Sequence, residues 1–534
     1  MITNPVVRGF APDPSMIRVC NDYYLATSSF EWYPSIPIHR CADLASWHYI
    51  GSVEDAVPGG LDGVPDSGGI WAPALSHDGE RFWIVYSVVR SVGNRYFDLD
   101  TYLSTALAAE GPWSRPVRVP SHGFDPSLFH YDGHLYLLNL QNDHRPGADR
   151  FGGIVLLELD RRSLAPVGSP HLLIQHDRLI EGPKMVFHDG WFILQLAEGG
   201  TGWEHGVRIA RSRQLFGPYE LDAHDLLTTR DDPAAVLAKA GHGELFDTPE
   251  GQWYLSHLAA RPVEQAAGRF CELGRETCVQ PIVWHDGWPR LAQGGHHPVV
   301  HVEPPAQSSG ARGPATPLIP QPVDEQAQVP RWPWSTLREP ANASWVREIG
   351  DAIVLRGRQG IESRWQNSLV AQRLSEHSGR FAATLLAEPA SFTQAAGIVA
   401  WYDTTSHYEL AITWAEPEGQ SQRGQQWLNQ GRRVVRLLSR THEGAEVLAM
   451  ADAPQGPVRL AMAWHAGAIR FEVDGEQLGP ELSLAPLSDD VPRGALRFTG
   501  AMAGLHAEDL VDHSWWVRFT RLVLEQNVDE QGDS

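Results

Sequence analysis

Five short stretches of this chain repeat one pattern. They are "CNDYYLATSS", "DGERFWIVYS", "YDGHLYLLNL", "HDGWFILQLA" and "PEGQWYLSHL". Each is a polar turn followed by an aromatic residue and an apolar run of period two, the signature of a half-buried strand leaving a tight turn. Anchored on Tyr24, Trp83, Tyr136, Phe192 and Tyr254, the steps are 59, 53, 56 and 62 residues. Helical periodicity is nearly absent. Units of roughly 50–60 residues made only of strands match a propeller blade of four antiparallel strands. Five of them predict a five-bladed β-propeller over residues 1–301.

The repeat has a second element. Asp13, Asp125 and Glu181 each precede their anchor aromatic by 11 residues, and Ala72 and Gly243 hold the same offset in the second and fifth units. In a propeller the innermost strand of each blade lines the axis, so one register position in successive blades points into one funnel. Asp before Pro is a common turn initiator, and a single Asp-Pro would signify no more than that. Three acids in one register, each beside Pro or Gly-Pro, predict a convergent carboxylate cluster. Two carboxylates across a glycosidic bond carry out glycoside hydrolysis. A gap of about 6.5–9.5 Å admits water and inverts configuration, whereas about 5–5.5 Å makes one of them a nucleophile and retains it. A third carboxylate keeps the acid protonated by like-charge repulsion. Metal binding by the trio is the competing reading, although hard cations want more oxygen ligands than three side chains give.

Composition narrows the partners. With 43 basic and 65 acidic residues the formal charge is −22, which disfavours nucleic acid and anionic membranes. No apolar run reaches the roughly 18 residues of a membrane span. The start "MITNPVVRGF" has no basic or apolar signal region, so a cytoplasmic location is expected. Cys20, Cys41, Cys271 and Cys278 form no C-x-x-C pair and are expected to be reduced structural thiols. Twenty tryptophans hint weakly at sugar binding, since pyranose C–H faces pack on indole rings.

The segment Val302 to Trp332 is rich in Pro, Gly and Ser and reads as a linker over 302–332. Strand patterns resume in "DAIVLRG", "GRFAATLLAE", "GIVAWYD", "HYELAITW", "RRVVRLLSR", "VRLAMAWHAGAIRFEVDG" and "WWVRFTRLVLE". They predict a jelly-roll β-sandwich over 333–534, hence an all-β protein. Packing on the propeller is one role for it, and an independent carbohydrate-binding module is the other.

The ordered motifs "NPVVRGFAPDPSMIRVCNDYYLATSSF", "GGIWAPALS", "GFDPSLF", "LIEGPKM", "EGGTGW" and "LGRETCVQPIVWHDGWPRL" resemble family 43 glycoside hydrolases, closest to the long β-xylosidase type with a C-terminal sandwich. The resemblance implies an exo-acting, inverting β-xylosidase, with α-L-arabinofuranosidase as the alternative. A retaining β-fructosidase or a non-catalytic sugar-binding protein ranks lower, because the chain lacks D-P-N-G, R-D-P and E-C motifs and keeps all three acids. It implies Asp13 as general base, Glu181 as general acid and Asp125 as the residue that orients and tunes the acid. Arg275 is implied to contact sugar hydroxyls, the rival reading being a surface ion pair with Glu276. Phe30 and Trp71 are implied as apolar walls, and His242 as the axial histidine that contacts water or a metal. Glu198 is the weaker rival for the acid role, since it lies off the register. Asn142 and Met502 stand where relatives carry an aromatic on the leaving-group side and a Phe that closes the pocket. No cofactor is required; a calcium ion on the axis at His242 is the one the resemblance admits. The implied partner is a short oligosaccharide, and a homo-oligomer is compatible with all of this.

Overall fold

The computed structural model describes residues 1–92, 97–266, 268–305, 329–416, 431–491 and 496–527. The described chain is built almost wholly of strands and divides into two compact units. One comprises residues 1–262 and 275–320, the other residues 263–274 and 321–534. The boundary therefore differs from the one expected at 301/302. Residues 263–274, inserted between two strands of the fifth blade, belong with the second unit. The linker expected over 302–332 lies for the most part outside the described residues, and its first residue, Val302, is in a strand.

The first unit is a ring of five antiparallel sheets, here blades I–V, four of them four-stranded and blade IV five-stranded through the added pair Leu227–Thr228. Their inner strands are Ser15–Val19, Gly69–His77, Ser127–Tyr131, Ile180–His188 and Ala238–Asp247. Each neighbours the next and the fifth neighbours the first, so the ring is closed. Every inner strand forms a hairpin with the strand that carries the repeated aromatic. The Asp-Gly turns explain how. Asp132 (φ +48°) with Gly133 (+80°), and Asp189 (+47°) with Gly190 (+74°), form mirror-image two-residue turns whose twist matches that of the strands.

The core is not central but lies between blades. Ile36 and Ile38 of blade I pack with Ile70, Ile84 and Tyr86 of blade II. Ile193 and Ile209 of blade IV pack with Leu245 and Leu255 of blade V. Each such side chain, fully buried, contributes about 1.5–3 kcal/mol. With the apolar residues spent between blades, the axis is left to polar ones. The ring is closed by Ile2–Thr3 pairing with His301–Val302 and by the Asn4 side chain, which donates to the Val279 and Val299 carbonyls and accepts from the Val279 N–H.

The second unit is a two-sheet sandwich. One sheet is centred on Ser406–Ala415, Gln394–Asp403, Met502–Asp509 and Ser368–Arg373, and the other on Trp516–Asn527, Ser378–Leu386 and Val458–His465. Its core includes Phe381, Ile398, Tyr402, Leu410, Met462 and Phe519. All seven strand stretches read from the sequence are strands here.

Candidate active site

A single backbone device shapes the funnel. In or just before the first half of each inner strand a residue near the aligned position takes a left-handed conformation: Asp13 (φ +55°), Ala72 (+40°), Asp125 (+53°), Gly182 (+57°) and His242 (+43°). Non-glycine residues pay for this conformation, Asp least because its carboxylate bonds locally. The kink turns the side chains at and beside it toward the axis.

Asp13 is buried in a cage of donors. Ser28 Oγ donates to its Oδ2 at 2.6 Å, Arg275 Nη1 lies 3.4 Å from Oδ1, and His242 Nδ1 lies 3.3 Å from the same oxygen. The backbone fixes this arrangement: the Ala11 N–H donates to the Arg275 carbonyl at 2.8 Å, and Thr277 Oγ1 donates to the Ala11 carbonyl at 2.7 Å. Burial alone would raise the Asp13 carboxyl. The Arg275 guanidinium, His242 and the Ser28 hydroxyl outweigh it and hold the group well below the usual carboxylate range.

Glu181 has the opposite surroundings. Among the described residues it makes no hydrogen bond, and its side chain keeps a partial opening to solvent. Burial in the funnel, then the charges of Asp125 and Asp13, push its carboxyl well above the usual value, with Arg275 opposing. Asp125 lies between these extremes. The Gly182 N–H donates to its Oδ2 at 3.1 Å, and burial pushes its carboxyl up to about 6, opposed by His242 and aided by Asp13. The surroundings thus push two neighbouring carboxyls in opposite directions, Asp13 down and Glu181 up, the division that acid–base hydrolysis needs.

Gly182 of "IEGPK" is required by close approach, since a Cβ there would stand 2.9 Å from His242 Nε2. Gly123 is similar: a Cβ would meet the Leu140 carbonyl oxygen at 2.1 Å. Lys184 is buried beside Glu244, Nζ to Oε2 3.5 Å.

Arg275 is buried, donates to Thr201 Oγ1 at 2.5 Å, and stands 6.0 Å from the Phe30 ring centroid. Glu276, the rival partner, is taken instead by Arg261 at 2.7 and 2.9 Å. Phe30 is buried and bridges to Ile70. Trp71 Nε1 donates to the Ser67 carbonyl, and its ring meets Phe97 and Phe124 edge-on at 6.1 and 5.7 Å. Glu198 is fully buried and engaged by Arg230 at 3.0 Å and Arg208 at 3.3 Å. A carboxylate between two guanidiniums is an ion-pair partner, not a proton donor, so the acid role does not fall to it.

Asn142 ends its strand opposite Phe151. The Phe151 ring stands 6.1 Å from Phe124, and the Arg150 guanidinium lies 4.1 Å over Phe97 and 5.6 Å over Phe151. An aromatic surface therefore exists beside Asn142, supplied by the neighbouring strand. Met502 lies in the second unit, fully buried at the head of its strand, opposite Arg373 on one side and Trp401 on the other. His242 belongs to no group of three ligating side chains among the described residues. A calcium ion there would draw nearly all its oxygen ligands from water.

Sequence reasoning missed Ser28, Thr201, His205, Phe97 and Phe151. His205 is buried, and burial together with His242 and Arg275 pushes its ring down to about 3. A Cβ on Gly241 would stand 1.9 Å from the His205 ring. Single hydroxyls carry no pattern, but Ser28 and Thr201 both fall inside motif stretches, "LATSSF" and "EGGTGW". Phe124, next to Asp125, was the available pointer to the aromatic group.

Comparison with known proteins gives a consistent picture. The family model described as "Glycosyl hydrolases family 43" matches residues 2–289, and "Beta xylosidase C-terminal Concanavalin A-like domain" matches residues 327–524. The chain is 37% identical over 523 residues to a Humicola insolens protein named "Xylosidase/arabinosidase 43B", covering 95% of each. It is 35% identical to a Vibrio sp. "Xylan 1,3-beta-xylosidase", covering 95% of this chain and 96% of that one. Among solved structures, a Bacillus halodurans xylan β-1,4-xylosidase superposes with a TM-score of 0.88 at 34% identity, covering 98% of this chain and 100% of the other.

Proposed function

This chain belongs to glycosyl hydrolase family 43, and from that membership and the three-acid funnel we propose that it releases xylose from the non-reducing ends of β-1,4-xylo-oligosaccharides with inversion of configuration. The reading is carried by one arrangement: Asp13 is caged by Ser28, Arg275 and His242, which hold its carboxyl well below the usual carboxylate range, while the carboxyl of Glu181, facing Asp125 and Asp13, is pushed well above it. Glu181 gives its proton to the glycosidic oxygen as the C–O bond breaks. Asp13 takes a proton from a water that attacks the anomeric carbon from the opposite face. Asp125 keeps Glu181 protonated through its charge and is steadied by the Gly182 N–H. Arg275 and Ser28 hold Asp13, and the Arg275 guanidinium fork is the group proposed to meet sugar hydroxyls.

The Humicola relative's name carries both activities, so cleavage of α-L-arabinofuranosides is the second reading. The Vibrio relative's name makes the linkage a question of its own. A β-fructosidase is set aside by the family assignment. Phe97 and Phe151 offer the leaving-group sugar the aromatic surface that Asn142 does not. Short oligosaccharides as substrates and a cytoplasmic location are part of the proposal; none of the four cysteines is in a disulfide, which suits the location. No helix among the described residues is long and apolar enough to cross a membrane.

The test is to compare turnover of nitrophenyl β-D-xyloside and α-L-arabinofuranoside, and of β-1,4- and β-1,3-xylobiose, while NMR follows the anomer first formed. Faster β-xyloside and β-1,4 cleavage giving α-xylose first is the expected result. β-Xylose as first product, or no turnover of either glycoside, overturns the reading.

A further inference from the structure

We propose that the second unit holds one divalent transition-metal ion, of which Zn²⁺ is the type, between Glu409, His506 and Glu508. Glu409 lies on the strand Ser406–Ala415, and His506 and Glu508 lie on Met502–Asp509. Residues two apart on a strand share a face, so His506 and Glu508 project together. Between the two strands runs Gln394–Asp403, which places Gly397 opposite His506 and Val399 opposite Glu409, and the His506 ring reaches Glu409 diagonally past Gly397. One ligand atom from each of the three residues lies within 4.8 Å of the others.

The outer contacts are what make this a built site. Glu409 uses Oε2 to accept from Arg436 Nη2 at 2.6 Å. Glu508 uses Oε1 to accept from the Ile361 N–H at 2.9 Å. Each carboxylate is tied by one oxygen and leaves the other uncommitted, the arrangement by which outer donors orient metal ligands. Glu409 Oε1 and both ring nitrogens of His506 are buried without a hydrogen-bond partner. His506 Nε2 and Glu409 Oε1 stand 3.2 Å apart, without hydrogen-bond geometry. Orphaned buried polar atoms are rare and costly, and here the orphans of two residues face each other. A cation between them satisfies both.

One imidazole nitrogen and two carboxylate oxygens suit Zn²⁺ and its neighbours, with water as the fourth ligand. Calcium and magnesium prefer larger all-oxygen sets. His506 and Glu409 are buried while Glu508 is partly exposed, so an ion would enter past Glu508. Bound there, it would tie together two strands that are not hydrogen-bonded neighbours. The surface group of Asp231, His296 and His297 differs: each histidine Nε2 already meets an Asp231 oxygen, at 2.9 and 2.8 Å. That clamp is satisfied as it stands, but it could take up added zinc and must be removed from the experiment.

The test uses the full chain carrying His297→Ala, stripped with EDTA and titrated with Zn²⁺ by calorimetry, with the melting temperature measured alongside. One ion per chain and a rise in melting temperature are expected. Adding Glu508→Gln should weaken zinc binding by at least about 100-fold and remove the thermal shift, and His506→Gln should do the same. Where His506→Gln fails to fold by circular dichroism, Glu508→Gln at the open end decides alone. No binding in the His297→Ala protein, or binding unchanged by Glu508→Gln, overturns the proposal.

Discussion

Blades II and V have the same kinked entry as blades I, III and IV, yet they put Ala72 and His242 where the others put or adjoin an acid. The kink is therefore a property of the ring, needed to turn five strand heads around a narrow axis. The acids are a second layer written onto it. Within the acid-bearing blades there is a further split. Asp13 and Asp125 sit on the left-handed residue itself, whereas in blade IV the kink falls on Gly182 and Glu181 precedes it. The longer side chain thus leaves from ordinary backbone and stays clear of the donors that surround Asp13. Position relative to the kink separates the group held ionised from the group held protonated.

The sharpest way to break this comparison is to neutralise the two extremes. Asp13→Asn and Glu181→Gln should each lower kcat on nitrophenyl xyloside by at least about 10³-fold, near the upper end of what one acid or base supplies. Activity within tenfold of the parent in either variant would dissolve the distinction between the blades.

Asp125→Asn comes next, with a fall in kcat of about 10²-fold. Removing its charge removes one cause of the raised Glu181 carboxyl, so the alkaline limb of the kcat/KM profile should move to lower pH. A limb that stays in place would show that Asp125 does not tune the acid. The same variant has a stability signature. Because the Asp125 carboxyl is near 6 in the fold and near 4 when unfolded, the native state loses stability as pH rises from about 4 to 6. The Asn variant escapes that loss. It should gain up to about 3 kcal/mol above pH 6 and nothing below pH 4, as read from urea unfolding at the two pH values.

Smaller effects test the kink alone. Gly182→Ala adds a Cβ 2.9 Å from His242 Nε2 at φ +57° and should cost about 1–2 kcal/mol, with kcat down about tenfold as His242 shifts against Asp13. Ala72→Gly relaxes the same kink where no acid stands. Its effect on melting should stay within about 1 kcal/mol, and its rate should be unchanged. A tenfold rate loss in Ala72→Gly would mean that the kink of blade II also takes part in the chemistry.

The blade count and the three acids were legible because the repeat fixes them: Asp-Gly turns and alternating strands are local signals, and the 11-residue offset is a sum of local lengths. What the offset could not show is the bulge. Blades II, IV and V slip register between Trp71 and Ala74, between Glu181 and Lys184, and around Gly241; the kink stays on the aligned position in blade II and falls one residue to either side of it in blades IV and V. The fifth blade was aligned on Gly243, and the structure puts the kink on His242. Cross-blade partners such as Ser28 and Thr201 left no trace, because a hydroxyl that meets its partner only after the ring closes has no sequence spacing to read. The inserted segment 263–274 was hidden for a similar reason. It is an ordinary hairpin by composition, and only its packing assigns it to the second unit.

The stitched seam between the first residues and the end of blade V has a temporal meaning. Asp13 leaves the ribosome well before the arginine and histidine that keep it charged, which are synthesised more than 200 residues later. A nascent chain released through blade IV already owns its proton donor but has only the Ser28 hydroxyl to sustain its base. Such a fragment is chemically mute, and hydrolysis switches on only when the last blade arrives to shut the circle.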